Sequence, residues 1–365
     1  MRVTDVRITN YTQPIPPILR TRVKGTQEIS LIAVTTDEGL TGYSMGRSHG
    51  GYSGAVLAEM IAKTFKRFVV GKDPLDREAI WQAMWRQAQV SYSPIFPVSA
   101  IDVALWDLGG KIAGLPVYKM LGASRENVPT YSSSAFLSEY EEYRDDLAMV
   151  LDSGMRSYKI HPMLVFDKDM DLCRKLRDQA GPGVDLMLDV GCAYTTVQAM
   201  KAGRICEELD FRWFEEPISP YDLEGYTMLC RALDIPVAGA ETLAGGPYST
   251  AQYIRSQALD LVMCDVYWRG GITGMMKIAH LSEACGLNLV SHHGGSPVMN
   301  IANLHVLCAI PNCDALEVLV PEKEYNYGLT EYPAMANGLL SPPNEPGLGA
   351  HIDFDYIKAH TTSEF

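Results

Sequence analysis

A chain of 365 residues, 47% of them hydrophobic, can bury a large core and points to one large domain with an addition, or to two domains, rather than to disorder. Its formal charge of −13, from 31 Lys plus Arg against 44 Asp plus Glu, argues against a nucleic acid or an anionic membrane as partner, since either needs a basic surface. Small molecules remain. Eight cysteines, at 173, 192, 206, 230, 264, 285, 308 and 313, form neither CxxC pairs nor a short disulfide framework, and read as reduced thiols.

The N-terminal run MRVTDVRITNYT alternates like a strand and lacks the apolar centre of a secretory leader, and no apolar run approaches the ~18 residues of a membrane span. The expectation is a soluble cytoplasmic protein. A second β-rich stretch, EISLIAVTTDEGLTGYSMG, holds a hairpin turn at TDEG. Two segments with helical spacing follow, YSGAVLAEMIAKTFKRFVVG and PVSAIDVALWDLGGKIAGLPVYKMLG, each ending in Gly as helix C-termini often do. Strands followed by helices predict an α+β domain over residues 1–125. Two of its loops carry cations that could meet an anionic substrate: PPILRTRVKG, with Arg20, Arg22 and Lys24, and SMGRSHGGYSG, with Arg47 and His49. The second lacks the GxxxxGK[ST] order that cradles phosphates and reads as a lid rather than a nucleotide site. Lys24, Arg47 and His49 are the candidates here for binding substrate.

From residue 126 the pattern becomes short apolar runs separated by helix-length stretches: VPTYSS, MRSYKIH, VDLMLDVG, DFRWFEEP, PVAGAE, DLVMCD, NLVSHH and ALEVLV. Eight strands so spaced predict an α/β barrel over 126–325, with 326–365 long enough to return to the first domain. His161, Asp189, Glu215, Glu241, Asp265, His292 and Glu317 recur at intervals of 24 to 28 residues, one per βα unit, which would gather them on the catalytic face. Asp189, Glu215 and Glu241 end three successive strands, and three carboxylates in an apolar mouth resist ionisation unless a cation joins them. An all-oxygen set selects a hard ion, with Mg²⁺ favoured because it tolerates waters and substrate oxygens. Glu216 competes with Glu215, because adjacent strand residues face opposite ways.

Asp265 and His292 end neighbouring strands, where a carboxylate can hold one ring nitrogen and leave the other to move a proton. His293 is the adjacent rival, expected to face away. Lys159 and His161 share a strand face, the Lys as counter-charge to a substrate carboxylate and the His as acid or base, with Glu317 able to hydrogen-bond the same substrate. Each also has a structural reading, as a core ion pair or a satisfied histidine.

The ordered set SAIDVALWDLGGKIAGLPVYKMLG, DVG, WFEEP, AGAE, CDVYWRGGITG and SHHGG resembles the enolase superfamily, mandelate racemase subgroup, over nearly the whole chain. The resemblance implies a modified TIM barrel of the (β/α)7β type behind an N-terminal α+β capping domain. It also implies one Mg²⁺ per subunit on Asp189, Glu215 and Glu241, a His292–Asp265 dyad, Glu317 beside the substrate carboxylate, and a homo-oligomer, a dimer or an octamer. It favours Glu215 over Glu216 and His292 over His293. Two positions depart from the subgroup. Lys-x-Lys becomes Lys159 and His161, and Asp-x-Asn becomes Asp189-Val190-Gly191, which puts a second strong base in doubt. The expected activity is dehydration of a sugar acid to a 2-keto-3-deoxy acid through an enediolate, a design that the enolase superfamily exemplifies. The alternatives are a racemase, an epimerase or a cycloisomerase. Cycloisomerases and dipeptide epimerases of related subgroups use a Lys where Asp265 stands, which counts against them. A zinc hydrolase would need His-x-His in VPTYSSS, which has no His. A sugar-acid binding protein without catalysis is the non-enzyme alternative.

Overall fold

The computed structural model describes residues 1–19, 24–48 and 53–365. Strands β1 (Val3–Pro14), β2 (Thr26–Thr36) and β3 (Thr41–Gly46) form an antiparallel sheet, and β2 turns into β3 at the expected hairpin. The alternation in β1 is read directly by burial: Val6 and Ile8 are wholly buried and Arg7 between them is exposed. Helices α1 (Gly54–Met60), α2 (Arg77–Val90), α3 (Phe96–Ala113) and α4 (Val117–Met120) pack on this sheet and on the barrel. Helix α3 ends eight residues before the Gly122 expected from the sequence, at Gly114, whose φ of 67° lies in the left-handed region that suits glycine, and the rest of that segment holds the separate α4. Helix α2 was not singled out from the sequence, although Ile80, Trp81, Met84, Trp85 and Ala88 recur on one buried face.

The second part alternates strand and helix: β4 (Val128–Ser133), α5 (Tyr140–Asp152), β5 (Ser157–Ile160), α6 (Phe166–Ala180), β6 (Asp185–Asp189), α7 (Thr196–Glu208), β7 (Trp213–Glu215) and α8 (Leu223–Ala232). It continues with β8 (Val237–Gly239), α9 (Gly246–Arg255), β9 (Leu261–Cys264), α10 (Gly271–Ala284), β10 (Asn288–Ser291), α11 (Pro297–Ala309) and β11 (Cys313–Val318). All neighbouring strands are parallel, and β11 pairs with β4 from Leu316–Thr130 to Val318–Ser132, which closes an eight-stranded barrel. Among the described residues seven helices join the eight strands, so the barrel is of the (β/α)7β kind. Beyond it come β12 (Leu339–Leu340), antiparallel to β4, then α12 (Phe354–Ala359) and β13 (Thr361–Glu364), which pairs with β1 through Thr9–Glu364 and Asn10–Ser363.

The barrel interior is plugged. Tyr131, Met187, Trp213, Met263 and Val290 form a separate buried cluster inside it, with Tyr131 and Trp213 edge to face at 5.3 Å between centroids. The seam between the two parts carries several polar contacts, one of them at a helix start. Helix α10 starts at Gly270, which has no side chain to cap it, and Asp102 of α3 supplies the cap: its carboxylate accepts the Thr273 N–H at 2.9 Å and the Thr273 hydroxyl at 2.6 Å. The approach is close enough that a Cβ on Gly271, itself at φ 77°, would lie 2.2 Å from an Asp102 oxygen. No helix among the described residues is long and apolar enough to cross a membrane. All eight cysteines are free thiols. Four are buried, while Cys285 is exposed.

Candidate active site

Asp189 ends β6, Glu215 ends β7 and Glu241 lies just beyond β8, and each offers an oxygen within 4.8 Å of the others. The backbone turns away abruptly after each of these strands. Gly191 and Cys192 take φ values of 51° and 65°, Glu216 44° and Ala240 85°, all in the left-handed region. For the non-glycine residues such a conformation costs on the order of 1 kcal/mol or more each, and it ends the strand alternation at that point. Glu216 is therefore not turned away from the site as strand geometry alone would have it. It lines the same cavity, while the cluster of three is completed by Glu215.

Lys159 sits beneath this cluster. Its ammonium is fully buried, 2.8 Å from Glu215, 3.5 Å from Asp189 and 3.4 Å from Glu317, and 5.4 Å from the centre of the Tyr131 ring. The Lys159 ammonium is not among the groups lining the cavity, and its first partners are protein carboxylates. Burial disfavours its charge, but Glu215 and Glu317 outweigh that and raise its pKa well above the usual lysine value. Burial and the company of Asp189 and Glu241 hold Glu215 well above the carboxylate range, and Glu241 is pushed up to about 7, by burial first and then by Asp189 and Glu216. Asp189 goes the other way. Lys159 and His161 overcome its burial and hold it below the usual range.

His161 does share a face with Lys159, and its Nε2 lies 3.1 Å from Asp189. Its Nδ1 is 2.8 Å from the Ser134 carbonyl, which can only accept, so that nitrogen carries a proton. Phe136 covers the ring at 4.7 Å between centroids. On the other side, His292 Nδ1 lies 3.0 Å from Asp265 and its Nε2 3.3 Å from Glu241. Asp265 is fixed in turn by the N–H groups of Tyr267 and Trp268, at 2.6 and 2.9 Å. Burial disfavours the imidazolium of His292, but Glu241 and Asp265 more than offset this and raise its pKa to about 10. Glu317 accepts the His293 N–H at 2.7 Å and a very short hydrogen bond from Ser133. Lys159, His292 and His161 outweigh its burial and hold it at about 2.

One cavity of about 270 Å³ reaches His161, Asp189, Glu241, His292 and Glu317 from the side of the first sheet. Arg47, almost fully buried, lines it. Lys24 is exposed and is not among the described residues that line the cavity; His49, Arg20 and Arg22 lie outside the described residues. His293 also lines the cavity, against the expectation that it faces away, because β10 ends at Ser291 and alternation stops there. Burial lowers its pKa to about 4, so it is neutral. The aromatic wall of Phe136, Tyr267, Trp268, Tyr325 and Tyr327 was missed as well. Its legible part is the YW that directly follows Asp265.

A closed (β/α)7β barrel with a carboxylate trio and a His–Asp pair at one mouth, roofed by an antiparallel sheet, defines a class of barrel enzymes. Residues 3–122 match the family described as mandelate racemase / muconate lactonizing enzyme, N-terminal domain, and residues 142–356 the one described as enolase C-terminal domain-like. The chain belongs to this mandelate racemase / muconate lactonizing enzyme family of the enolase superfamily. It is 31% identical over 334 residues to arabinonate dehydratase of Saccharolobus solfataricus, covering 89% of this chain and 88% of that one. It is 30% identical over 371 residues to the 3,6-anhydro-alpha-L-galactonate cycloisomerase of Streptomyces coelicolor, covering 97% and 98%. The magnesium complex of D-glucarate dehydratase from Agrobacterium tumefaciens superposes on the whole of both chains with a TM-score of 0.88 at 29% identity.

Proposed function

We propose that the protein is a Mg²⁺-dependent sugar-acid dehydratase that removes the proton α to a carboxylate and expels the β-hydroxyl as water. Asp189, Glu215 and Glu241 would hold the ion, one per subunit. The residues fit such a group: three hard oxygen donors converge within 4.8 Å, and Glu215 and Glu241 resist ionisation in one another's company, which a divalent ion would reverse. When bound, the ion supplies positive charge that stabilises the enediolate left by proton loss. Lys159 balances the carboxylates from below, and Arg47 is a cation on the cavity wall among the described residues.

The observation that carries the choice of reaction is an asymmetry between the two histidines. His292 is about one-fifth exposed and its orientation is set by Asp265; facing Glu241 it is held as the imidazolium and can give a proton to the departing hydroxyl, and with the Glu241 charge taken up by an ion the neutral ring could take the α-proton. His161 is less exposed, and although its Nε2 faces a carboxylate as that of His292 does, its Nδ1 is committed to a backbone carbonyl with no carboxylate behind it. Both rings line the cavity, but only one is backed by a carboxylate, which suits dehydration, whereas racemisation needs proton traffic on both faces. The 30% identity to a cycloisomerase favours a second reading, in which the same site shifts protons without losing water. A panel of aldonic, uronic and aldaric acids incubated with the protein and Mg²⁺ in D2O, followed by NMR, separates the two. A 2-keto-3-deoxy product is expected. Exchange, inversion or ring opening without such a product would transfer the assignment to the isomerase, and no reaction with any of them would remove the substrate class.

The division into a cap over 1–125, a barrel over 126–325 and a returning segment over 326–365 belongs to the same reading.

A further inference from the structure

The three carboxylates that would hold the ion stand on three separate turns, and one side chain outside the trio touches all three turns. Glu216 is 1% exposed and follows Glu215 directly. One of its carboxylate oxygens accepts the backbone N–H of Glu241 at 2.9 Å. The other accepts the Cys192 thiol at 2.9 Å and a very short hydrogen bond from the Thr242 hydroxyl. Its backbone completes the tie: the Cys192 N–H donates to the Glu216 carbonyl at 2.7 Å, and the Glu216 N–H donates to the Ala238 carbonyl at 3.0 Å. The turn after Asp189, the turn after Glu215 and the turn that carries Glu241 are thus joined at a single buried residue. Both Glu216 oxygens are engaged by these donors, which leaves ligation to the trio. Its left-handed φ of 44° is what aims the side chain into the gap between the turns.

We propose that Glu216 is a positioning residue for the metal centre, setting the spacing of Asp189, Glu215 and Glu241 without ligating the ion. The inference rests on the metal reading above. A partner that orients ligands in this way typically changes metal affinity 10- to 100-fold when removed, roughly the size of effect to look for. Arg269 is a competing support, since its guanidinium donates to the carbonyls of Glu241 and Leu243 and could hold the same turn alone.

The test measures Mn²⁺ binding to the full-length protein by electron paramagnetic resonance, with the melting temperature of each metal-free variant alongside. Glu216→Ala is expected to weaken Mn²⁺ binding roughly 10- to 100-fold at unchanged stoichiometry, with metal-free melting close to that of the unsubstituted protein. Glu216→Gln keeps an acceptor for the Glu241 N–H and is expected to recover part of the loss. Cys192→Ala removes one donor to the carboxylate and is expected to cost several-fold. If Glu216→Ala does not fold, the other two variants decide, and affinities equal to the unsubstituted protein in both would overturn the proposal. So would unchanged affinity in Glu216→Ala, or a loss that follows a fall in metal-free melting, which would assign Glu216 to general stability and leave the turn to Arg269. If the unsubstituted protein binds no Mn²⁺, or Asp189→Asn binds it equally well, the metal reading itself fails and takes this inference with it.

Discussion

An ammonium group with no exposed surface, set among three carboxylates, is held in place by charge rather than by packing. Lys159 is that group, and its removal would leave Asp189, Glu215 and Glu317 with less to balance them. Breaking a buried pair from one side typically costs about 3–5 kcal/mol, because the remaining charge stays desolvated. Lys159→Met should therefore melt well below the unsubstituted protein when metal-free, and saturating Mg²⁺ should restore part of the difference by neutralising the same carboxylates. An identical deficit with and without Mg²⁺ in calorimetry would show that the lysine acts independently of the metal centre. The two-residue spacing of Lys159 and His161 makes their common face legible in the sequence, since alternation follows from strand geometry. How deep each side chain sits is not legible. It depends on Glu215 and Glu317, which reach the same point from strands far along the chain. His293 shows the complementary failure: alternation predicts a face only while the strand lasts, and β10 ends two residues earlier.

At the scale of elements, the junction of α3 and α10 is one place where the two parts of the molecule meet through a defined polar contact. A helix that begins on glycine leaves its first N–H groups to be satisfied from outside, and Asp102 does this across 171 residues of sequence. Asp102→Ala should destabilise the protein by about 1–3 kcal/mol, the range for losing a cap together with its buried partners. Urea denaturation monitored by circular dichroism would measure it, and a change within ~0.5 kcal/mol would place the cap among ordinary surface contacts. Helix α3 itself could be read from apolar spacing, a local signal, although its end at Gly114 could not, because the apolar spacing runs on into α4. The cap could not, since nothing near Asp102 in the sequence marks which helix start it will meet. The eight barrel strands were legible for a related reason: the 24- to 28-residue rhythm of polar strand ends repeats a local unit, and closure of β11 on β4 follows from the count.

For the molecule as a whole, His305 joins three parts. It sits on α11, accepts the Tyr118 N–H of α4 on Nδ1 at 3.1 Å and, from Nε2, donates to the Leu348 carbonyl in the segment beyond the barrel at 3.0 Å. Accepting the Tyr118 N–H needs the neutral ring, and burial lowers its pKa from 6.5 to about 4. In the unfolded chain the ring protonates near 6.5, so its contribution is intact above that pH, declines as pH falls from 6.5 to 4, and is gone below. The loss amounts to roughly 3 kcal/mol across that window. His305→Asn should be less stable than the unsubstituted protein at pH 7 and lose less on acidification, so that the two denaturation curves converge by pH 5; parallel curves would remove His305 as the cause. The last segment also has a consequence for the order in which the molecule can be completed. Strand β13 supplies the outer partner of β1, with the Ile8 N–H donating to the Phe365 carbonyl and the Phe365 N–H to that of Ile8. On a ribosome the first strand emerges long before this partner exists. Until β13 has been made, one edge of the cap sheet lacks its neighbour and is open to a second nascent chain. Deleting residues 361–365 would make that state permanent and should increase self-association in sedimentation velocity.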